Sequence, residues 1–181
     1  TNLKKRLSLF YSTKDNLIMR NVSEKDFWGT KKIDFGAYNN IQNINFSSDG
    51  SQIVFSASNK GQSDIFVMVP ELTKTYRITN DIFDDIDAYF INENQLVFSS
   101  NRINDSSNYK GNPSEIEDNY DLYLYEFGSK INPFTQLTSG LGNEILPTSF
   151  NDSTLFYIDE NSGIRTLIQI NKNDLKQTPI I

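Results

Sequence analysis

"NFSSDGSQIVFSASNKGQSDIFVM" runs from Asn45 to Met68 and decides how the whole chain is read. It falls into three short apolar runs separated by Ser, Asp, Gly and Asn. Residues of these types punctuate strands, because Asp and Asn bond their own backbone and Gly supplies a positive φ. The central triplet, Ile53-Val54-Phe55, is continuous rather than alternating. A strand with one wet face alternates, whereas a strand covered on both faces reads as an unbroken apolar run.

The triplet recurs. Leu9-Phe10-Tyr11, Ile53-Val54-Phe55, Leu96-Val97-Phe98 and Leu155-Phe156-Tyr157 begin 44, 43 and 59 residues apart. A second apolar strand follows each one: Leu17-Ile18-Met19, Ile65-Phe66-Val67, Leu122-Tyr123-Leu124 and Leu167-Ile168. Nine residues separate these two strands in the second and fourth units, and 23 in the third. Without that excess of 14 the last spacing is 45, so one period of about 44 governs the chain. A preceding strand ends at Phe46, Phe90 or Phe150, before the polar turns SSDG, INEN and NDST. An outer strand is expected in KKIDF (31–35), TYRIT (75–79) and FTQLT (134–138).

Four short strands in 40 to 45 residues predict a β-propeller blade. A lone four-stranded sheet cannot bury both faces, but a stack of twisted blades buries each against the next. The chain is therefore expected to be all-β: a β-propeller of four-stranded antiparallel blades, with units at about 1–38, 39–83, 84–141 and 142–181. A β-sandwich or open barrel with coincidental spacing is the competing reading. The chain has no initiator Met and opens inside a strand pattern, so it reads as a piece of a longer protein and an incomplete ring of about four blades. In the alternative, a four-bladed closure, TPII (178–181) would complete the first unit.

Composition removes several function classes. The 181 residues include no Cys and no His. Disulfides, thiolate metal sites, Ser-His-Asp triads and His-ligated zinc are all excluded for this chain. Chemistry would have to run on carboxylates, Tyr, Lys or Ser. A net charge of −6 argues against nucleic acid, which needs a basic face. The basic cluster Lys4-Lys5-Arg6 reads as a solvated end. No apolar run approaches the ~20 residues of a membrane span.

The stretch NDIFDDIDAYF (80–90) carries Asp81, Asp84, Asp85 and Asp87 where one blade should hand over to the next. Such connections end near the central channel, where ligands and partners sit. Four carboxylates could hold Ca²⁺, but the spacing is not that of an EF-hand, so no metal and no cofactor are expected. Asp85 or Asp87 with Glu144 is the one pairing that could act as a glycosidase acid/base couple, and it is the weaker reading. We take Asp81, Asp84, Asp85, Asp87, Arg102 and Glu144 as partner-binding candidates, with Arg102 expected to hold a carboxylate between blades rather than a ligand. Asp49-Gly50 is expected to form a turn, and Asp64 and Asp121 to accept backbone N–H groups just ahead of strands. The polar insertion within 101–121 is read as either a partner-contact loop or an inert surface excursion.

The stretches NFSSDGSQIVFSASNKGQSDIFVM and YFINENQLVFSSNR resemble the TolB-like propeller repeat of the wider WD40-like group. That repeat reads aromatic-Ser-Pro-Asp-Gly, two variable residues, an apolar triplet ending in an aromatic, Ser, a loop and Asp-Ile-Tyr. Phe46, Ser47, Asp49, Gly50, Ile53, Phe55, Ser56, Asp64, Ile65 and Phe66 stand in those places, as do Phe90, Leu96, Phe98, Ser99, Asp121, Leu122 and Tyr123. Ser48 replaces the Pro, later turns lack Asp-Gly, and the fourth unit lacks the Asp of its second motif. The resemblance implies a non-catalytic protein-interaction module in the periplasm or cell envelope of a Gram-negative bacterium. Its partners would be envelope proteins or the rest of its own parent chain. The alternative is the gating or substrate-recognition propeller of a larger hydrolase of the prolyl-oligopeptidase kind.

Overall fold

The computed structural model describes residues 7–13, 16–22, 30–34, 38–59, 61–103, 111, 112, 114, 116 and 118–180. Its strands are β1 (Leu7–Thr13), β2 (Asn16–Val22), β3 (Thr30–Asp34), β4 (Asn39–Phe46), β5 (Ile53–Asn59), β6 (Gln62–Val69), β7 (Lys74–Arg77), β8 (Asp85–Asn92), β9 (Gln95–Ser100), β10 (Asp121–Glu126), β11 (Phe134–Gln136), β12 (Glu144–Ser149), β13 (Thr154–Asp159), β14 (Thr166–Asn171) and β15 (Gln177–Pro179). Among the described residues they form four sheets in simple up-and-down order: β1-β2-β3, β4-β5-β6-β7, β8-β9-β10-β11 and β12-β13-β14-β15. Every strand pair is antiparallel. Among the described residues no helix is long and apolar enough to cross a membrane.

The continuous triplets are explained by where alternate side chains go. Val54 faces the third sheet with Ile65 and Val67, meeting Ala88, Phe90, Leu96, Phe98, Tyr123 and Phe134. Its neighbours Ile53 and Phe55 point the other way, into a cluster with Ala57, Phe66 and Met68. In the third sheet Leu96 and Phe98 face the second sheet, while Val97 and Leu122 face Leu155, Tyr157, Ile168 and Ile170 of the fourth. Both faces of these strands are dry, so no polar residue interrupts the run. The fourth sheet differs. Leu155 and Tyr157 are buried but Phe156 between them is only half-buried, and β13 keeps the alternation of a strand with one covered face. Phe150, expected as the last residue of an inner strand, lies one past β12 and is 76% exposed.

Turn chemistry follows the residues. In SSDG, Asp49 accepts from the Ser47 hydroxyl at 2.7 Å and from the Ser51 N–H at 2.9 Å, and Gly50 has φ +71°. Those bonds hold the Asp49 carboxyl below its ordinary value. Two local expectations are corrected. Asp64 lies inside β6 rather than ahead of it, and its buried carboxylate takes Arg77 instead of a backbone N–H. The described part of the terminal TPII does not complete the first sheet, because Gln177–Pro179 pairs with β14 as the outer strand of the fourth; Ile181 lies outside the described residues. The connection between Ser100 and Asp121 carries the insertion, most of which lies outside the described residues.

Candidate functional site

The candidate residues separate into two junctions between sheets and one rim along the inner strands. The junctions are built by the same chain segments one repeat apart. Thr79 accepts the N–H of Ile65 at 2.9 Å, and Thr138 accepts that of Leu122 at 2.8 Å. Asp85 and Glu144 each open an inner strand, paired with Ser100 and Asp159. These matches align Asp64 with Asp121, Arg77 with Gln136, Asp81 with Gly140, Phe83 with Gly142, Asp85 with Glu144, Ser100 with Asp159 and Arg102 with Asn161.

At the junction of the second and third sheets, Arg102 is almost wholly buried. Its guanidinium donates to both Asp85 oxygens at 2.8 and 3.0 Å, to Asp81 at 3.3 Å and to the Ser100 hydroxyl at 3.0 Å. Phe83, Phe98, Tyr123 and Phe134 surround it, with the Phe134 ring centre 4.3 Å away. A planar, weakly hydrated cation suits such an aromatic box better than an ammonium. Burial would drive the guanidinium toward its neutral form, but Asp85 and Asp81 overcome that and hold its pKa above the ordinary value. Asp81 is raised to about 6, chiefly by burial and then by the Asp85 charge, with Arg102 opposing. Asp64 is also raised to about 6 by burial, against the pull of Arg77. Asp84 accepts the Ser63 N–H at 2.8 Å and so pins the third sheet to the second. Asp81, Asp84, Asp85 and Arg102 are thus brought together and bond one another and the backbone, with Arg102 Nη1 left facing the aromatic rings without a hydrogen-bond partner.

Glu144 stands apart from that group. It is 5% exposed and lines a cavity of 420 Å³ between the third and fourth sheets, with Gln136, Thr138, Gly140, Asp159, Asn161 and Gln177 among its walls. Thr138 donates to the carboxyl, which also shares a hydrogen bond with the Asp121 side chain, while Oε2 has no hydrogen-bond partner. Burial, with the charges of Asp121 and Asp159, raises Glu144 to about 7. Gly140 makes room for it, since a Cβ there would meet Oε1 at 2.6 Å.

Asp87 belongs to the rim. Register breaks between Gln42 and Asn45, Ile86 and Tyr89, and Ile145 and Thr148 place one β-bulge at the same point of β4, β8 and β12. The bulged residues Asn43, Asp87 and Leu146 have φ of +50°, +56° and +53°. Asp87 links all three strands: Oδ1 accepts from the Asn43 amide, and Oδ2 accepts the Leu146 N–H at 3.1 Å. Burial raises its pKa, and the Leu146 N–H opposes the rise. The three strands line a cavity of 310 Å³ bounded by Asn43, Asn45, Asp87, Tyr89, Leu146 and Thr148.

Sequence reasoning selected Arg102, the Asp81–Asp87 run and Glu144, but missed Asp121, Gln136 and Asp159 as members of a junction. The missing signal was available: aligning TYRIT on FTQLT sets Arg77 against Gln136. The bulges left no trace in residue type, since Asn, Asp and Leu share no pattern.

No protein-family model and no curated protein matches the sequence. Solved structures do. TolB from Acinetobacter baumannii superposes with a TM-score of 0.68 at 18% identity over 97% of this chain and 40% of that one. A putative TolB from Agrobacterium tumefaciens gives 0.70 at 14% identity over 96% of this chain and 57% of that one. Porphyromonas gingivalis dipeptidyl peptidase 4 gives 0.66 at 13% identity over 98% of this chain and 24% of that one. The chain therefore spans about half, or less, of the TolB structures it matches. At these identities the likeness concerns architecture: the chain folds as a TolB-like β-propeller.

Proposed function

We propose that the chain is a non-catalytic interaction module whose partner surface is the rim of inner strands around Asp87. The carrying observation is that Asp87, the one carboxylate lining the rim cavity among the described residues, has both oxygens engaged, by Asn43 and by the Leu146 N–H. The rim offers shape, amide groups, the hydroxyls of Tyr89 and Thr148 and the half-exposed Leu146, and its single carboxylate among the described residues is already held by two partners. The likeness to TolB supports an envelope protein of a Gram-negative bacterium, with other envelope proteins or further parts of its own parent chain as partners. The test is co-purification from a periplasmic fraction with the parent chain and with Leu146→Asp, which leaves the core untouched. The reading requires a protein that co-purifies with the parent and is lost from the variant; equal recovery with both overturns it.

The second reading is a gating or substrate-recognition propeller within a larger hydrolase, favoured by the comparable superposition on dipeptidyl peptidase 4. The complete reading frame separates the two: a Gly-x-Ser-x-Gly elbow with downstream Asp and His would establish the hydrolase.

A further inference from the structure

The two junctions solve the same problem with opposite charge balance. At the first, Asp64, Asp81 and Asp85 meet Arg77 and Arg102. At the second, Asp121, Glu144 and Asp159 crowd together, and the positions of the two arginines hold Gln136 and Asn161. Gln136 donates to Asp121 at 3.0 Å, which satisfies an oxygen but adds no charge. Among the described residues no Lys or Arg lines the 420 Å³ cavity. Arg165 on the same sheet is held by Glu160 at 2.8 Å.

We propose that this cavity binds a guanidinium group from outside the chain, with Glu144 as its principal anchor and Asp159 and the amides of Gln136, Asn161 and Gln177 around it. The proposal is independent of the rim around Asp87. Three observations carry it. Glu144 is 5% exposed, lines the cavity and has an Oε2 without a hydrogen-bond partner. The residue aligned with Glu144 one repeat earlier, Asp85, receives a guanidinium on both oxygens. The cavity is of a size that accepts small organic ligands (~300–1,000 Å³), far larger than a bare ion needs. A guanidinium presents five donors in a plane, enough to serve a carboxylate edge and flanking amide oxygens together, and it sheds water more readily than an ammonium. It could come from an arginine embedded in a protein chain or from a small free compound.

Calorimetric titration of the chain with N-acetyl-L-arginine amide, N-acetyl-L-lysine amide and free L-arginine tests this. The arginine amide is expected to bind saturably with a Kd of about 1 mM or below, and the lysine amide at least about tenfold more weakly. Binding of the amide but not of free arginine, whose own carboxylate faces three acids, assigns the ligand to a chain-embedded arginine. Equal binding of the two assigns it to a free guanidinium compound. Glu144→Gln, which removes the charge while keeping the shape, is expected to lose at least about tenfold in affinity. Gln136→Arg, which installs an internal guanidinium as Arg77 does in the previous repeat, is expected to block the site in a folded protein. Absence of saturable binding, equal affinity for the lysine amide, or unchanged affinity in Glu144→Gln would each overturn the proposal.

Discussion

The junction around Arg102 and the junction around Glu144 are two copies of one piece of chain with different endings. In the first, buried carboxylates are matched by two arginines. In the second, the same corner of the fold holds carboxylates, neutral amides and a cavity. A propeller can tolerate both, because the β-ladders and the apolar clusters on either side carry the stacking of the sheets. What differs is the dependence on protonation and on anything that can enter. The first junction carries its own cations, although Asp64 Oδ1 and Arg102 Nη1 stay without hydrogen-bond partners; the second is a charge imbalance waiting for a counter-ion.

Removing the cation breaks the comparison from the first side and has the largest expected effect. Arg102→Met leaves Asp85 and Asp81 buried without their cation, and breaking a buried ion pair from one side costs about 3–5 kcal/mol. Without Arg102 the Asp81 carboxyl, already raised to about 6, loses the charge that opposes its rise. The loss is then greatest at pH 8 and shrinks as pH falls through the folded-state value of Asp81, because the neutral acid no longer needs the cation. Urea denaturation of parent and variant at pH 8 and pH 5 reads this directly. A loss that does not change with pH would mean that packing against Phe134, not charge, is what Arg102 supplies.

Glu144→Gln works from the other side and has the opposite sign. Glu144 has a folded-state pKa of about 7 against an ordinary value of 4.5. A carboxyl raised on folding costs nothing below its unfolded value, and destabilises progressively as pH rises through the folded value. The substitution should therefore leave stability unchanged near pH 4 and raise it by roughly 1–3 kcal/mol at pH 8. Denaturant midpoints across that range give the result, and destabilisation at pH 8 would show that the carboxylate is compensated after all.

Gln136→Arg sharpens the contrast by making the second junction resemble the first. Arg77, its counterpart, is 41% exposed in its side chain, so the gain from a new partner for Asp121 is screened and amounts to about 0.5–1 kcal/mol at pH 8. The variant should also bring the titration midpoint of Glu144 down, observable by carboxyl carbon NMR. A midpoint that stays put would place the new guanidinium outside the cavity.

Much of this architecture was legible in the chain, and for a definite reason. Ile53-Val54-Phe55 and Leu96-Val97-Phe98 are unbroken because both faces of their strands are covered, and that demand repeats with the blade. Arg102 was legible as a structural cation because a lone Arg after a buried strand, near four Asp, has few other uses. Glu144 could be flagged as an acid on an inner strand, but its loneliness could not. It depends on what stands at Gln136 and Asn161, residues that look ordinary until placed opposite Arg77 and Arg102. Phe150 misled because an aromatic after an apolar strand reads as its buried end, whereas the polypeptide has already turned outward there.

The bulges were invisible for a different reason: they are imposed by the geometry of the inner strands, not by residue preference. Asn and Asp enter the left-handed backbone region at less cost than other non-glycine residues, and Asn43 and Asp87 also bond each other across sheets, but Leu146 at φ +53° has no such compensation. Its side chain is 53% exposed, so little apolar burial offsets the strain. Leu146→Asn should therefore stabilise the chain by about 0.5–1 kcal/mol, no more than Gln136→Arg. The Leu146 N–H that Asp87 accepts is a backbone group, so the substitution leaves that bond in place. Thermal unfolding at a pH where Asp87 is ionised measures the change. A lowered midpoint would mean that Leu146 makes apolar contacts worth more than its backbone strain, and would turn the rim from a strained edge into a packed one.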